Sequence, residues 1–119
     1  ESMNRQFNTM ILVDEATAQV VERAKFPLDT VKLATVRPLG METDTGIYML
    51  LTQAELQNNI ESYERYSVAL QAIEKGDMLT GTASLKTLLA DYPTQAGFAQ
   101  FILEHISQQA SHVIHLHDK

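Results

Sequence analysis

The apolar pattern of the chain changes character near Leu51. Before this residue, short runs of β-type residues alternate with one helical stretch, whereas after it the apolar residues recur at three- and four-residue steps. The change predicts an α+β fold that is mostly helical overall, with a partial sheet of about three strands and one helix, followed by a three-helix antiparallel tail. We therefore divide the chain into a first segment of residues 1–51 and a helical tail of residues 52–119.

The first segment is predicted to run strand, helix, strand, strand. Residues 10–13 form an apolar run typical of a buried strand, and Asp14 directly after it is a favourable N-cap for a helix that Pro27 should stop. Residues 31–36 alternate in a strand pattern. Residues 47–51 predict a further strand, which a hairpin joins to the strand at residues 31–36. The helix face that we expect to be buried carries Ala16, Val20, Val21 and Ala24.

Capping signals divide the tail. Thr52 and Glu55 have the spacing of a capping box, so a helix is expected from about residue 53 to residue 75. Gly76 is a natural C-terminal cap for this helix, and Asp77 can cap the next one. The two short connections that result would make the helices antiparallel neighbours.

The three helices of the tail each carry an apolar stripe. The second helix should end before residues 91–93, and the third should begin near residue 94. Ile73, Leu88 and Ile102 lie centrally on their stripes, so each is expected to be buried between helices. The remaining stripe positions are Leu56, Ile60, Tyr63 and Leu70 in the first helix, Met78, Leu85 and Leu89 in the second, and Phe98, Phe101, Ile106, Ala110 and Val113 in the third.

The charge and composition of the chain exclude several classes of function. Lys and Arg number 9 against 15 Asp and Glu, which gives a net charge of −6 and argues against general nucleic-acid binding. The absence of cysteine excludes disulfides, thiolate zinc sites and cysteine nucleophiles. No stretch reaches the ~20 apolar residues that cross a bilayer, so we expect no membrane segment.

Four short sequence motifs occur along the chain, and their order and spacing together are more specific than any one of them. They are residues 1–7 (ESMNRQF), 11–17 (ILVDEAT), 36–40 (VRPLG) and 47–50 (IYML). With these strings the chain resembles the C-terminal end of a class III nucleotidyl (adenylate/guanylate) cyclase catalytic domain, over roughly residues 1–51. The strings are similar to the helix tail after that family's Asn-x-x-x-Arg motif, its Ile-Leu-Val-Ser-Glu-Ala-Thr stretch, its Arg-Pro-Leu-Gly strand and its closing Val-Tyr-Glu-Leu strand.

The resemblance implies a partial ferredoxin-like sheet and, in the intact protein, synthesis of cyclic AMP from ATP, with cyclic GMP as the less favoured product. It implies two aspartates that bind magnesium or manganese, together with an Asn/Arg pair, all upstream of residue 1 in the family. We therefore expect no catalytic, cofactor-binding or metal-binding residue on this chain, and no activity from it alone. Glu1 and Ser2 look like the middle of a helix, so the chain is expected to be a fragment of a longer protein.

The resemblance also implies a partner and a location. Family cyclases work as dimers, and the strands near Ile11 and Val36 would lack neighbours, so we expect a homodimer. ATP is expected to bind only the intact, longer protein. The location of that protein is expected to be cytoplasmic, and anchoring to a membrane is left open. Gly40 is followed directly by Met41, so the Lys-Gly pair that the family often places in this hairpin has no counterpart, and we name no phosphate-contacting lysine.

The helical tail has a looser likeness of its own. Residues 63–106, with the runs at 69–70, 75–77 and 88–93, resemble the tetratricopeptide-like tail that follows some bacterial cyclase domains. One helical pair and a following helix are too few for a repeat array. The alternative function is therefore a non-catalytic helical module for interaction or dimerisation. The gene upstream discriminates between the two, because only the cyclase hypothesis requires two aspartates and an Asn-x-x-x-Arg motif there.

Several side chains invite a functional interpretation. Asp14 and Glu15 form an acidic pair, but we interpret them as a helix cap because neighbouring residues point apart on a helix. Arg37 is interpreted as a charged residue on a solvated strand face rather than as a phosphate ligand. Tyr63 and Tyr66 are assigned to the core rather than to ligand contacts.

The histidines near the end of the chain are a further candidate. His112 and His115 have the spacing that places two histidines on one helix face, and His117 follows, so a transition-metal site is one interpretation. A polar, fraying C-terminal end is the simpler one, and we prefer it.

Overall fold

Four strands and five helices make up the regular structure of the described residues, which in this computed structural model are 11–37, 40, 42–94, 96–109 and 113–115. The strands are β1 (Ile11–Asp14), β2 (Leu28–Arg37), β3 (Thr45–Thr52) and β4 (Val113–His115). The helices are α1 (Glu15–Ala24), α2 (Gln53–Asn58), α3 (Ile60–Glu74), α4 (Met78–Asp91) and α5 (Phe98–Gln109). The predicted α+β class is confirmed.

The strands form one sheet in the order β1-β3-β2-β4. β3 pairs antiparallel with both β1 and β2, as a hairpin between β2 and β3 requires. β4 lies parallel to β2, with Val36 opposite Ile114. The expectation that the strand near Val36 lacks a second neighbour is therefore wrong, because a segment almost 80 residues later in the chain pairs with it. β1 is an edge strand, and the side chain of Ile11 is 62% exposed.

A β-bulge interrupts β2. Lys32 lies opposite Tyr48 and Ala34 opposite Ile47, so Leu33 has no partner in the ladder. The bulge shifts the alternation by one residue, and Leu33 and Ala34 are consequently both buried although they are adjacent. The Tyr66 hydroxyl of α3 donates a hydrogen bond to the Leu33 carbonyl, which satisfies a buried backbone group at the bulge.

Helix α1 begins as predicted and buries a different face. The Asp14 side chain accepts a hydrogen bond from the Thr17 amide at 2.8 Å, and Lys25 ends the helix in the left-handed region at φ 58°. The buried residues are Ala18 and Val21, so the burial expected for Ala16, Val20 and Ala24 is wrong. The reason is the helix's rotation on the sheet, which brings Glu22 against Thr30 and Glu15 against the Gly46 amide.

The single helix predicted for residues 53–75 is two helices. The capping box at Thr52 is confirmed, with both of its hydrogen bonds to Glu55 formed, but α2 lasts only six residues. Asn59 leaves the helical region at φ −129° and ψ 29°, and its side-chain amide donates to the Glu55 carbonyl at 3.1 Å. Asparagine breaks the helix here because its side chain competes for backbone groups.

Helices α3 and α4 form a tightly packed antiparallel pair. Gly76 adopts φ 99° in the turn between them, and Asp77 caps α4 through the Thr80 amide, as predicted. A Cβ atom on Gly81 would lie 2.2 Å from Cγ1 of Ile73, so only glycine allows this approach of the two helices.

The last part of the chain departs from the predicted third helix at both ends. α5 begins at Phe98 rather than near residue 94, because residues 93–94 and 96–97 form turns. Val113 lies in β4 rather than on a helix, since this segment pairs with β2. Ala110 lies outside the described residues.

One buried cluster holds the sheet and the helices together. Leu33, Met49, Ile73, Leu88 and Ile102 are all 0% exposed, and the cluster contains residues from both sides of Leu51. The predicted burial of Ile73, Leu88 and Ile102 is therefore confirmed. Among the stripe residues, Leu56, Met78, Leu89 and Phe101 are only partly buried at the margin of the cluster.

Candidate functional site

The acidic pair after β1 is used for structure. Hydrogen bonds from the backbone and side chain of Thr17 hold the pKa of Asp14 below its ordinary value. The Glu15 carboxylate is directed elsewhere and accepts a hydrogen bond from the Gly46 amide at 3.4 Å. The two carboxylates thus have separate partners, and the capping interpretation of Asp14 is confirmed.

Arg37 is engaged by a neighbour across the β2–β3 hairpin. Its Nε donates to the Asp44 carboxylate at 2.7 Å. The two side chains are 40% and 34% exposed, respectively. Arg37 is therefore one half of a surface ion pair at the end of β2. A phosphate group at this position would have to compete with Asp44.

The histidine hypothesis depends on residues of which only part is described. His112 and His117 lie outside the described residues, and His115 is the last residue of β4. Because His115 lies in a strand, the helical spacing on which the metal interpretation depended is wrong at this residue. Within the described ranges, no group of three or more His, Asp or Glu side chains is arranged to hold a metal ion.

Tyr63 and Tyr66 belong to the core, as predicted. The Tyr66 ring meets the ring of Phe98 edge-on at 4.9 Å between centroids, and Tyr63 stacks on Phe98 at 6.0 Å. Burial raises the pKa of both phenols, and the nearby carboxylates of Glu74 and Glu55 add to the shift in Tyr66 and Tyr63, respectively. The Tyr66 hydroxyl is fully buried and donates to the Leu33 carbonyl, so it is engaged within the core.

A polar network that the sequence did not predict joins β2 to the end of α3. The Lys32 ammonium contacts both oxygens of the Glu74 carboxylate, Oε1 at 3.2 Å and Oε2 at 3.1 Å, and the Thr35 hydroxyl donates to Oε2 at 2.8 Å. Both charged side chains are partly buried. Some 40 residues separate the partners, so no local pattern could have indicated the contact. The network links β2 to α3, and its hydrogen bonds occupy both oxygens of the Glu74 carboxylate.

A second ion pair fixes the other end of the helical pair. Arg65 of α3 donates to the Asp91 carboxylate of α4 at 2.9 Å, and its guanidinium lies 5.6 Å from the ring centre of Tyr92. Arg65 is thereby held within its own chain. Its charge is compensated before any partner approaches.

The two most exposed large apolar side chains among the described residues lie on α4 and α3. A groove of about 720 Å³ runs between the two helices, and a second one of about 400 Å³ adjoins it at Glu64 and Val68. Val68 is 64% exposed and Leu79 is 82% exposed. We call this surface the outer face and define it by Glu64, Val68, Leu79, Ala83, Ser84 and Thr87. It is an open surface suited to another macromolecule rather than an enclosed pocket.

Comparisons of the chain with known protein families, with curated proteins and with solved structures gave no significant match. In the described residues, no helix is long and apolar enough to span a membrane. The family and function of the chain accordingly have to be argued from its own residues.

Proposed function

We propose that the chain is the C-terminal part of a class III nucleotidyl cyclase catalytic domain, which in the intact protein makes cyclic AMP from ATP. The observation that carries the proposal is the agreement between the family-like strings and the elements. Residues 11–17 run from β1 into α1 with Asp14 at the junction, residues 36 and 37 end β2, and residues 47–50 lie within β3. The first string, residues 1–7, lies outside the described residues.

In this proposal the chain supports the reaction without performing it. The antiparallel strands β1, β3 and β2, with α1 packed on them, supply the closing part of the catalytic domain. The family's metal-binding aspartates and its Asn/Arg pair belong upstream, where they would position magnesium or manganese and stabilise the charge that develops on the α-phosphate. The reaction uses ATP, which makes the cytoplasm the proposed location.

Cyclic nucleotide formation from ATP tests the proposal when it is measured with magnesium and with manganese. This chain alone should give no turnover, because loss of even one charge-stabilising group costs ~10²–10³ in rate and loss of the metal pair adds to it. The protein extended upstream through the Asn-x-x-x-Arg motif should be active, and changing either upstream aspartate to asparagine should abolish that activity. Turnover by the short chain, or an inactive extended protein, would contradict the proposal.

A second candidate is a non-catalytic helical interaction module. The observation that favours it is the outer face, where Leu79 and Val68 are exposed side by side with small residues of α4. The coding sequence upstream of residue 1 separates the candidates. Two aspartates and an Asn-x-x-x-Arg motif in that sequence would favour the cyclase, and their absence would favour the module.

A further inference from the structure

We propose that the outer face is where two copies of this chain pair, with α3 of one copy antiparallel to α3 of the other across a two-fold axis at Val68. The proposal does not depend on the cyclase reaction, because it concerns only the helical pair. It rests on three features of that pair: the exposed aliphatic side chains, the small residues beside them and the order of charges along α3.

The first two features are complementary in shape. Leu79 projects from the start of α4 with 82% of its surface exposed. Farther along the same helix, the groove is lined by Ala83, Ser84 and Thr87, whose side chains are small. In an isologous two-fold contact the same patch serves both copies, so each copy offers its partner both a projecting leucine and a groove lined by small side chains.

The third feature selects an antiparallel second copy as the occupant. Glu61 and Lys75 are exposed and lie seven residues before and after Val68, with Lys75 as the capping residue directly after α3. Each is therefore about 10 Å from Val68 along the helix axis. Seven residues are close to two helical turns, so all three residues share one side of the helix. An antiparallel copy centred on Val68 therefore places Glu61 opposite the Lys75 of its partner, and the two-fold axis repeats this attraction.

The other charges near the outer face do not oppose this pairing. Arg65 is bound by Asp91 within its own chain, and Glu64, four residues before Val68, falls opposite Ala72 of an antiparallel copy. Burial and, after it, a hydrogen bond to Glu61 raise the pKa of Tyr92, and the Glu61 carboxylate has a second oxygen for the Lys75 of a partner. Helix α3 has 15 residues and is about 22 Å long, so a face two helices wide covers roughly 450 Å² per copy. An interface of this size corresponds to a weak dimer.

Sedimentation equilibrium of the chain from 5 to 500 µM (a range of about 100-fold suited to weak dimers) tests the proposal. We expect a monomer–dimer equilibrium that Val68→Glu weakens at least ~100-fold, because two carboxylates would meet at the axis. Val20→Glu is the matched control, since Val20 is 56% exposed on α1 and should not change the equilibrium. A chain that stays monomeric at 500 µM, or a dimer that survives Val68→Glu, would overturn the proposal.

A charge-reversal mixture tests the antiparallel register. Glu61→Lys alone and Lys75→Glu alone should each dimerise ~10-fold more weakly, because each homodimer would contain two like-charged pairs. Mixed together, the two variants should form a heterodimer at least as strong as the original dimer, since both pairs are then attractive. Thermal melting of each variant measures its folding separately. Failure of the mixture to restore association while both variants remain folded would overturn the proposed register.

Discussion

At the scale of single residues, Tyr66 performs two tasks. Its ring packs edge-on against Phe98 in the centre of the buried cluster. Its hydroxyl donates to the carbonyl of Leu33, which the bulge has removed from the ladder of β2. A buried carbonyl without a partner is costly, so the bulge and the tyrosine depend on each other.

Replacing Tyr66 by phenylalanine should lower the free energy of unfolding by about 1–3 kcal/mol, because the Leu33 carbonyl would stay buried without its donor. Urea denaturation measures the change. The matched control is Tyr63→Phe, because Tyr63 packs on the same Phe98 ring. The control should change the free energy of unfolding by less than about 0.5 kcal/mol, since within the described ranges no hydrogen bond joins the Tyr63 hydroxyl to a buried carbonyl. Equal effects of the two changes would contradict the role given to the hydroxyl.

The same residue predicts a dependence of stability on alkaline pH. Burial raises the pKa of Tyr66, so the folded chain keeps a proton that the unfolded chain loses near pH 10. Above that pH the unfolded state binds fewer protons, and the free energy of unfolding falls by up to about 1.4 kcal/mol per pH unit. Denaturation at pH 9, 10 and 11 should show this fall, and Tyr66→Phe should reduce it. An unchanged slope in the variant would contradict the assignment.

At the scale of elements, local signals specified the helix ends well. Asp14, Thr52 and Asp77 each cap the helix that the sequence assigned to them, because a cap is an interaction between residues two or three positions apart. The break at Asn59 is also local, but an asparagine within a helical pattern is compatible both with a continuous helix and with a break. Local signals did not determine the rotation of α1, because contacts with β2 and β3 decide which side of the helix is buried.

The packing of α4 gives a prediction at this scale. Leu88 is 0% exposed in the cluster between α4 and its neighbours. Leu88→Ala should therefore lower the free energy of unfolding by about 2–5 kcal/mol, through lost burial and the cavity that remains. Thermal and urea denaturation measure the loss.

Leu79→Ala is the control for this prediction, because Leu79 lies in the same helix and is 82% exposed. It should change stability by less than about 0.5 kcal/mol. A melting temperature that Leu88→Ala leaves unaltered would contradict the helix packing.

At the scale of the whole molecule, the sheet and the helical tail share one core. Met49 of β3 and Leu88 of α4 are both 0% exposed and belong to the same cluster. The salt bridge between Lys32 and Glu74 adds a polar connection between β2 and α3. Residues on the two sides of Leu51 are therefore expected to unfold together rather than as separate domains.

Two substitutions test this cooperativity. Met49→Ala and Leu88→Ala should both lower the midpoint of one common transition, whether it is followed by far-ultraviolet circular dichroism or by tyrosine absorbance. Helical signal and tyrosine signal should coincide in each variant. Two separated transitions, with each substitution affecting only one of them, would instead favour independent domains at the 51/52 boundary.

Sequence patterns predicted the α+β class, the order of β1, α1, β2 and β3, the helix caps and the central core positions of the tail. These features follow from residue periods and from contacts within about four positions, which a short window contains. Four features could not be predicted in this way and depend on long-range contacts: the bulge at Leu33, the pairing of β4 with β2, the Lys32–Glu74 salt bridge and the rotation of α1. Each of these depends on a partner at least eight residues away, and the free energy that selects among alternatives comes from burial against that partner.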